Sequence, residues 1–307
     1  MPSNPDDAAP IVLFVYNRPT HTIRTVEALL KNALAKKSNL FIYSDAPKQS
    51  KNEDAVRDVR AYIKTIAGFR SISIVERDRN WGLANSIIDG VTAVVNKHGR
   101  IIVLEDDLVV STLFLDYMNE ALRHYESDPK AFSIGAYSFP EKTMPIPSDY
   151  SWDTYASFRC CSWGWATWID RWKRVDWGMD YYTTFLRDPG AQKSFNRGGP
   201  DMTQMLKLQH DRQIDSWAIR FCYAQHANNM HCIYPVKTLV MNIGLDHSGM
   251  HCGVDPRREH TSFDEQWSPR AFCPADKVDA RIARSFHDAF APPKRSLVTR
   301  ILHRLST

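Results

Sequence analysis

No stretch of the sequence approaches the roughly 20 apolar residues that a membrane-spanning helix needs. The first ten residues are polar and proline-bearing, without the apolar core of a secretory signal. Cysteine is sparse: six in 307 residues, none of them in a Cys-x-x-Cys pair. That usage suits a reducing cytosol better than a disulfide framework. Two cysteines follow histidines, His231-Cys232 and His251-Cys252, yet the spacings match no standard zinc finger. The net charge is only +4, so nothing demands a nucleic-acid partner. No internal repeat is present, which sets solenoids aside. A G-x-x-x-x-G-K-[ST] loop is missing, as is a G-x-G-x-x-G turn, which removes the P-loop and dinucleotide fingerprints.

What is present centres on residues 100–108, Arg-Ile-Ile-Val-Leu-Glu-Asp-Asp-Leu. Four apolar residues run directly into three carboxylates. An apolar run without alternation reads as a strand buried on both faces, as in a parallel α/β sheet. Three acids at its end repel one another and resist burial unless something positive sits there. A divalent cation bridging to a phosphate is the simplest neutraliser, because hard cations prefer carboxylate oxygen. The plain alternative is a strand-to-loop junction with solvated acids.

The chain before the triplet alternates regularly. Strands are expected at residues 11–16, 40–43 and 72–75, with the triplet closing a fourth. Helices are expected between them. The first follows Asn17-Arg18-Pro19-Thr20, with Thr20 or Thr22 as cap. The second covers about residues 51–66 and the third 83–97, after the turn Asp78-Arg79-Asn80-Trp81-Gly82. Such alternation predicts a central, mostly parallel sheet flanked by helices.

After the triplet, a helix is expected at 112–125 and a strand at 131–136. A proline-bearing loop then leads into residues 152–177, crowded with tryptophan. Small residues between the rings suit a pocket on which sugar faces could stack; a packed core around a bend is the other reading. Residues 195–200 read as a loop. Residues 214–223 read as a helix with Asp215 near its start, where the helix dipole favours a carboxylate. Short strands are expected at 233–234 and 238–241, then a glycine-bearing loop through His247. The tail from 292 to 307 is basic and amphipathic, suited to an anionic membrane face or to docking on the domain. The expected organisation is a flexible 1–10, a nucleotide-sugar-binding half at 11–138, an acceptor-binding half at 139–275, and a helical basic tail at 276–307.

On these motifs the chain resembles the GT-A glycosyltransferases, most closely the N-acetylglucosaminyltransferase I type and the bacterial family 2-like sugar transferases. Their Asp-x-Asp (DXD) triplet closes a strand, as Glu105-Asp106-Asp107 does here. The resemblance implies a GT-A (Rossmann-like) nucleotide-diphospho-sugar transferase fold. It also implies a metal-dependent transfer of sugar from a nucleotide-diphosphate donor, UDP-sugar favoured, using Mn2+ or Mg2+. Residue by residue it implies that Arg18 lies near the nucleotide and diphosphate, and that Asp45 contacts the base. Asn80 and Gly82 would line the donor site, Asp106 would approach ribose and sugar, and Asp107 would bind the metal. Trp163 and Trp165 would form the turn over the donor sugar, and Asp215 would be the catalytic base.

His247 is a candidate for the diphosphate or metal, with His251 weaker. Asp201 and Asp211 are alternative bases, and Glu105 would orient the acid loop. The chemistry is an inverting displacement: a base takes the acceptor hydroxyl proton as that oxygen attacks the anomeric carbon. The expected setting is cytoplasmic, at most peripheral to a bacterial inner membrane, with a glycan or lipid-linked acceptor in polysaccharide synthesis. Two rivals stand beside it: a sugar nucleotidyltransferase, and a glycan-binding protein without catalysis on the same fold.

Overall fold

The computed structural model describes residues 8–246 and 262–291. The first hundred residues alternate as the sequence predicts: β1 (Ile11–Val15), α1 (Pro19–Leu30), β2 (Asn39–Ser44), α2 (Glu53–Ile63), β3 (Ser71–Glu76), α3 (Leu83–His98) and β4 (Arg100–Glu105). After the acid turn come β5 (Leu108–Val110), α4 (Phe114–His124) and β6 (Ala131–Gly135). The second half holds β7 (Thr154–Ser157), β8 (Trp165–Trp168), α5 (Ile169–Trp172), α6 (Tyr182–Leu186), α7 (Pro189–Phe195) and α8 (Met202–His210). It closes with α9 (Trp217–Ala227), β9 (His231–Pro235), β10 (Val240–Asn242) and α10 (Ala280–Ala289).

Eight strands form one sheet in the order β3-β2-β1-β4-β8-β6-β9-β7, so it runs through both halves of the chain. The first four strands are parallel, with Ile11 beside Leu40 on one flank and Ile102 on the other. The chain walks outward from β1 to β3, then returns to place β4 on β1's opposite side. That reversal makes the β1/β4 boundary a topological switch point, where the carboxyl ends of neighbouring strands part and leave a crevice.

Beyond β4 the sheet turns mixed. β8 runs antiparallel to both β4 and β6, β9 is parallel to β6, and β7 runs against β9. Parallel pairing therefore dominates, as expected, but the tryptophan-rich stretch supplies two strands where a pocket was one reading.

Period-two alternation splits each central strand between two cores. Ile11, Leu13 and Val15 face one core with α1, α2, α4 and α10; Val12 and Phe14 face the other with α3 and α9. Both faces are covered, so β1 and β4 read as unbroken apolar runs. Each such side chain contributes about 2 kcal/mol through burial, which fixes the sheet under the acid turn.

Several boundaries differ from the sequence reading. α1 starts with Pro19 in its first turn after Arg18; neither Thr20 nor Thr22 caps it, and Thr22 Oγ1 donates to the Arg18 carbonyl at 2.9 Å. Within residues 195–200, Phe195 ends α7 and Asn196–Gly198 form a short 3-10 turn before α8, rather than an open loop. α9 starts at Trp217, because the Ser216 hydroxyl accepts from Ile219 N and sets the cap there, leaving Asp215 just outside. His247, His251 and the 292–307 tail lie outside the described residues.

Candidate active site

The crevice at the switch point is built by the ends of β1 and β4. β4 carries Glu105 beside Phe14 of β1, and the next two residues turn away as Asp106 and Asp107. Both aspartates are buried, at 3% and 7% exposure. Buried carboxylates need partners, and each finds the same one. Arg18, on the turn between β1 and α1, places Nη2 between them, against Asp106 and 3.0 Å from Asp107. Tyr16 N donates to the second Asp106 oxygen at 3.2 Å, and Thr25 Oγ1 donates to the Asp106 carbonyl at 2.9 Å. Burial pulls the Arg18 guanidinium down, but the two carboxylates outweigh it and hold its pKa above the ordinary value. Glu105 has no such cation to itself. Burial, with the charges of Asp107 and Asp106, pushes its carboxyl up to about 8.

A late segment covers this group. β10 pairs with β5 in a separate antiparallel ribbon, Asn242 opposite Leu108. Ile243 N then donates to the Asp107 carbonyl at 2.9 Å, and Asp246 closes on His21 at 3.2 Å. Gly244 lies so tight on the pair that an added Cβ would stand 2.8 Å from Arg18 Nη1 and collide with the Asp107 carboxylate. The sequence marks this loop as polar and glycine-bearing, but its place over Asp107 is set by strand pairing across the chain.

A second group forms at the end of β2. Asp45 is buried, and its carboxylate accepts from Trp81 N at 2.9 Å, Gly82 N at 3.0 Å and Ala46 N at 2.9 Å. Asn80 Nδ2 donates to the Ala46 carbonyl at 2.8 Å, so the loops after β2 and β3 are laced together. Arg77, which sequence reasoning missed, adds a clamp: its guanidinium stacks 4.0 Å from the Trp81 ring and pairs with Asp89 of α3. Gly82 adopts φ 74°, left-handed backbone that glycine takes without strain. A side chain there would also stand 3.1 Å from Asp215 Oδ2. Asp215 itself is exposed and accepts from Ala84 N at 3.4 Å, at the start of α3.

The structure thus brings Arg18, Glu105, Asp106 and Asp107 into one group and Asp45, Asn80, Gly82 and Asp215 into an adjoining one. Asp45 N donates to the Val15 carbonyl at 3.1 Å, linking the two strand ends. A cleft of about 620 Å³ flanks the second group, between the Arg79–Trp81 turn and Asn85, Asp89 and Thr92 on α3.

Trp163 and Trp165 do not both face outward. Trp163 is half-buried, with its ring edge-on to Tyr137 at 4.7 Å. Trp165 is a correction: at 1% exposure it is core, stacked 4.7 Å from Trp217 and 6.0 Å from Trp172. Its strand β8 points it into the α3–α9 side, so it offers no face to a ligand. The alternative bases are engaged elsewhere. Asp201 takes both ends of the Arg159 guanidinium, at 2.7 and 3.0 Å, and Asp211 lies among Lys207 and His210 on the surface.

Among the described residues, no three or more histidine, cysteine, aspartate or glutamate side chains converge on a common point. The donor chemistry at Asp106 and Asp107 is carboxylate oxygen. That suits Mg2+ or Mn2+, which are commonly held by one or two carboxylates with substrate phosphates completing the shell. No helix among the described residues is long and apolar enough to cross a membrane.

A family model, described as the GNT-I family, matches residues 3–209. No curated protein sequence matches. Among solved structures, a mannosyltransferase from Pyrobaculum calidifontis in complex with GDP-Man and Mn2+ is 12% identical, covering 72% of this chain and 75% of that one, with TM-score 0.39. A UDP-glucose pyrophosphorylase complexed with UDP-glucose is 12% identical, covering 75% and 91%, with TM-score 0.40. S. aureus TarS is 9% identical, covering 75% and 36%, with TM-score 0.39. Likenesses this distant carry no argument; the family match does.

Proposed function

The chain belongs to the GNT-I family and is a glycosyltransferase of the nucleotide-sugar-binding kind, and from that premise we propose how its site works. The donor is a sugar nucleoside diphosphate, UDP-sugar favoured, and the acceptor a hydroxyl on a glycan or lipid-linked glycan. The observation that carries this reading is the Arg18–Asp106–Asp107 cluster at the switch point of the sheet. It joins a guanidinium, matched to phosphate oxygen, with carboxylates, matched to a hard cation, in the crevice where α/β sheets bind ligands.

Asp107 would hold Mn2+ or Mg2+, and Asp106 would lie toward the ribose and sugar. When bound, the cation would supply charge neutralisation for the diphosphate leaving group. Arg18 adds a second positive contact to the same phosphates. Asp45 fixes the Trp81–Gly82 turn that borders the base. Asp215, exposed beside that turn, takes the proton from the acceptor hydroxyl. The acceptor oxygen bonds to the anomeric carbon while the bond from that carbon to the diphosphate oxygen breaks, and the configuration inverts. A nucleotidyltransferase would need a glycine-rich basic loop after its first strand; here β1 passes through Asn17-Arg18-Pro19 straight into α1.

Calorimetric titration of UDP with and without Mn2+ tests the donor site. Binding should need the metal and vanish in Asp107→Ala; metal-independent binding would remove the cation from the mechanism while leaving the donor site, and binding of no nucleoside diphosphate at all would sink the reading. With metal and donor saturating, Asp215→Asn should lower turnover by about 10²–10⁴-fold, the usual worth of a positioned base. Full turnover in that variant would remove Asp215 from the mechanism.

A further inference from the structure

One guanidinium serves two buried carboxylates at the end of β4, with Glu105 adjoining as a third acid. The service is incomplete on both sides. Arg18 Nη1 is buried and has no acceptor among the described residues. It lies under Gly244, on the covered side of the pair. The backbone of Arg18 is pinned independently of its side chain, because its carbonyl accepts from Thr22 N at 3.0 Å and from Thr22 Oγ1 at 2.9 Å. The guanidinium can therefore change partners while α1 stays in place.

We propose that Arg18 is an exchangeable counter-ion, which neutralises Asp106 and Asp107 until a divalent cation takes the carboxylate oxygens of Asp107 and then moves onto the diphosphate of the donor. The inference rests on the donor-site reading above. A carboxylate oxygen turned toward a guanidinium offers that lone pair to nothing else, and two cations a few ångströms apart repel. Arg18 and the metal thus compete for the same oxygens. A diphosphate ends the competition: it gives the planar fork two new acceptors, including one for Nη1, and brings two or more negative charges for the two cations to share. Cation and nucleoside diphosphate then bind together, each raising the affinity of the other by the same factor.

The test is Mn2+ binding to the full-length chain, read from the spin-resonance signal of free Mn2+, with and without UDP. In the wild type, Mn2+ alone should bind weakly and saturating UDP should tighten it by at least about tenfold. Arg18→Met should bind Mn2+ alone about tenfold more tightly than the wild type and lose most of the tightening by UDP. Arg18→Lys, which keeps a charge beside the acids if Arg18→Met fails to fold, should show a smaller gain in the same direction. Mn2+ binding to these variants no tighter than to the wild type, absence of binding included, overturns the exchange. UDP binding to the wild type with equal affinity in chelator also overturns it, since Arg18 would then stand permanently in the cation's place; the donor site would survive. A gain in Arg18→Met with no nucleoside diphosphate bound to the wild type overturns the handover and the proposed donor together.

Discussion

Asp45 and Asp107 are the same residue type at the same end of the same sheet, and they are held in opposite ways. Asp45 is satisfied by backbone amides of a turn, at 2.9 and 3.0 Å. Asp107 leans on a side chain, Arg18, at 3.0 Å. Backbone amides cannot leave without unmaking the turn; a guanidinium on a long side chain can. The contrast separates a carboxylate that is part of the scaffold from one that is available to a ligand. It also qualifies the assignment of Asp45 to the base: whatever it contacts, its carboxylate already organises the loop.

That contrast can be broken by mutation. The largest effect should be on binding. Asp107→Asn should cost metal-dependent UDP affinity at least about 100-fold, as loss of a charged ligand does. Its stability should change by less than about 1 kcal/mol, because losing one Arg18 contact is offset by relief of repulsion from Asp106 and Glu105. Asp45→Asn should behave the other way: one amide acceptor becomes a donor facing Gly82 N, at a cost of about 2 kcal/mol, read as the shift in urea midpoint. If Asp45→Asn unfolds like the wild type, Asp45 is no scaffold. Gly82→Ala should cost about 1–3 kcal/mol, because φ 74° with ψ 162° is backbone that essentially only glycine adopts. That variant should also lower turnover, because the new methyl crowds Asp215 Oδ2.

The same contrast marks what the sequence shows. The strand–helix alternation through β4 is legible because both faces of each strand are covered, leaving apolar runs such as residues 101–104 bounded by turn residues. Glu105-Asp106-Asp107 is legible because three acids after such a run are chemically conspicuous. The partners of Asp45 are not, since Trp81 and Gly82 lie 36 and 37 residues away. Trp165 carries no local mark distinguishing it from Trp163; burial follows from which face of β8 it occupies, and a four-residue strand is too short to display its period. Asp215 reads as the start of a helix, yet the cap is the next residue, Ser216, whose hydroxyl accepts from Ile219 N.

The ribbon of β5 and β10 has a consequence for how the protein comes to be. β5 follows the acid turn at once, whereas its partner comes about 130 residues later, on the order of ten seconds of synthesis. Until Val240–Asn242 arrives, the segment that lies over Asp107 does not exist. β10 also lies past residue 209, where the family match ends. The acid pair is thus made early and covered late, and it stays without its roof on the nascent chain until β10 has followed.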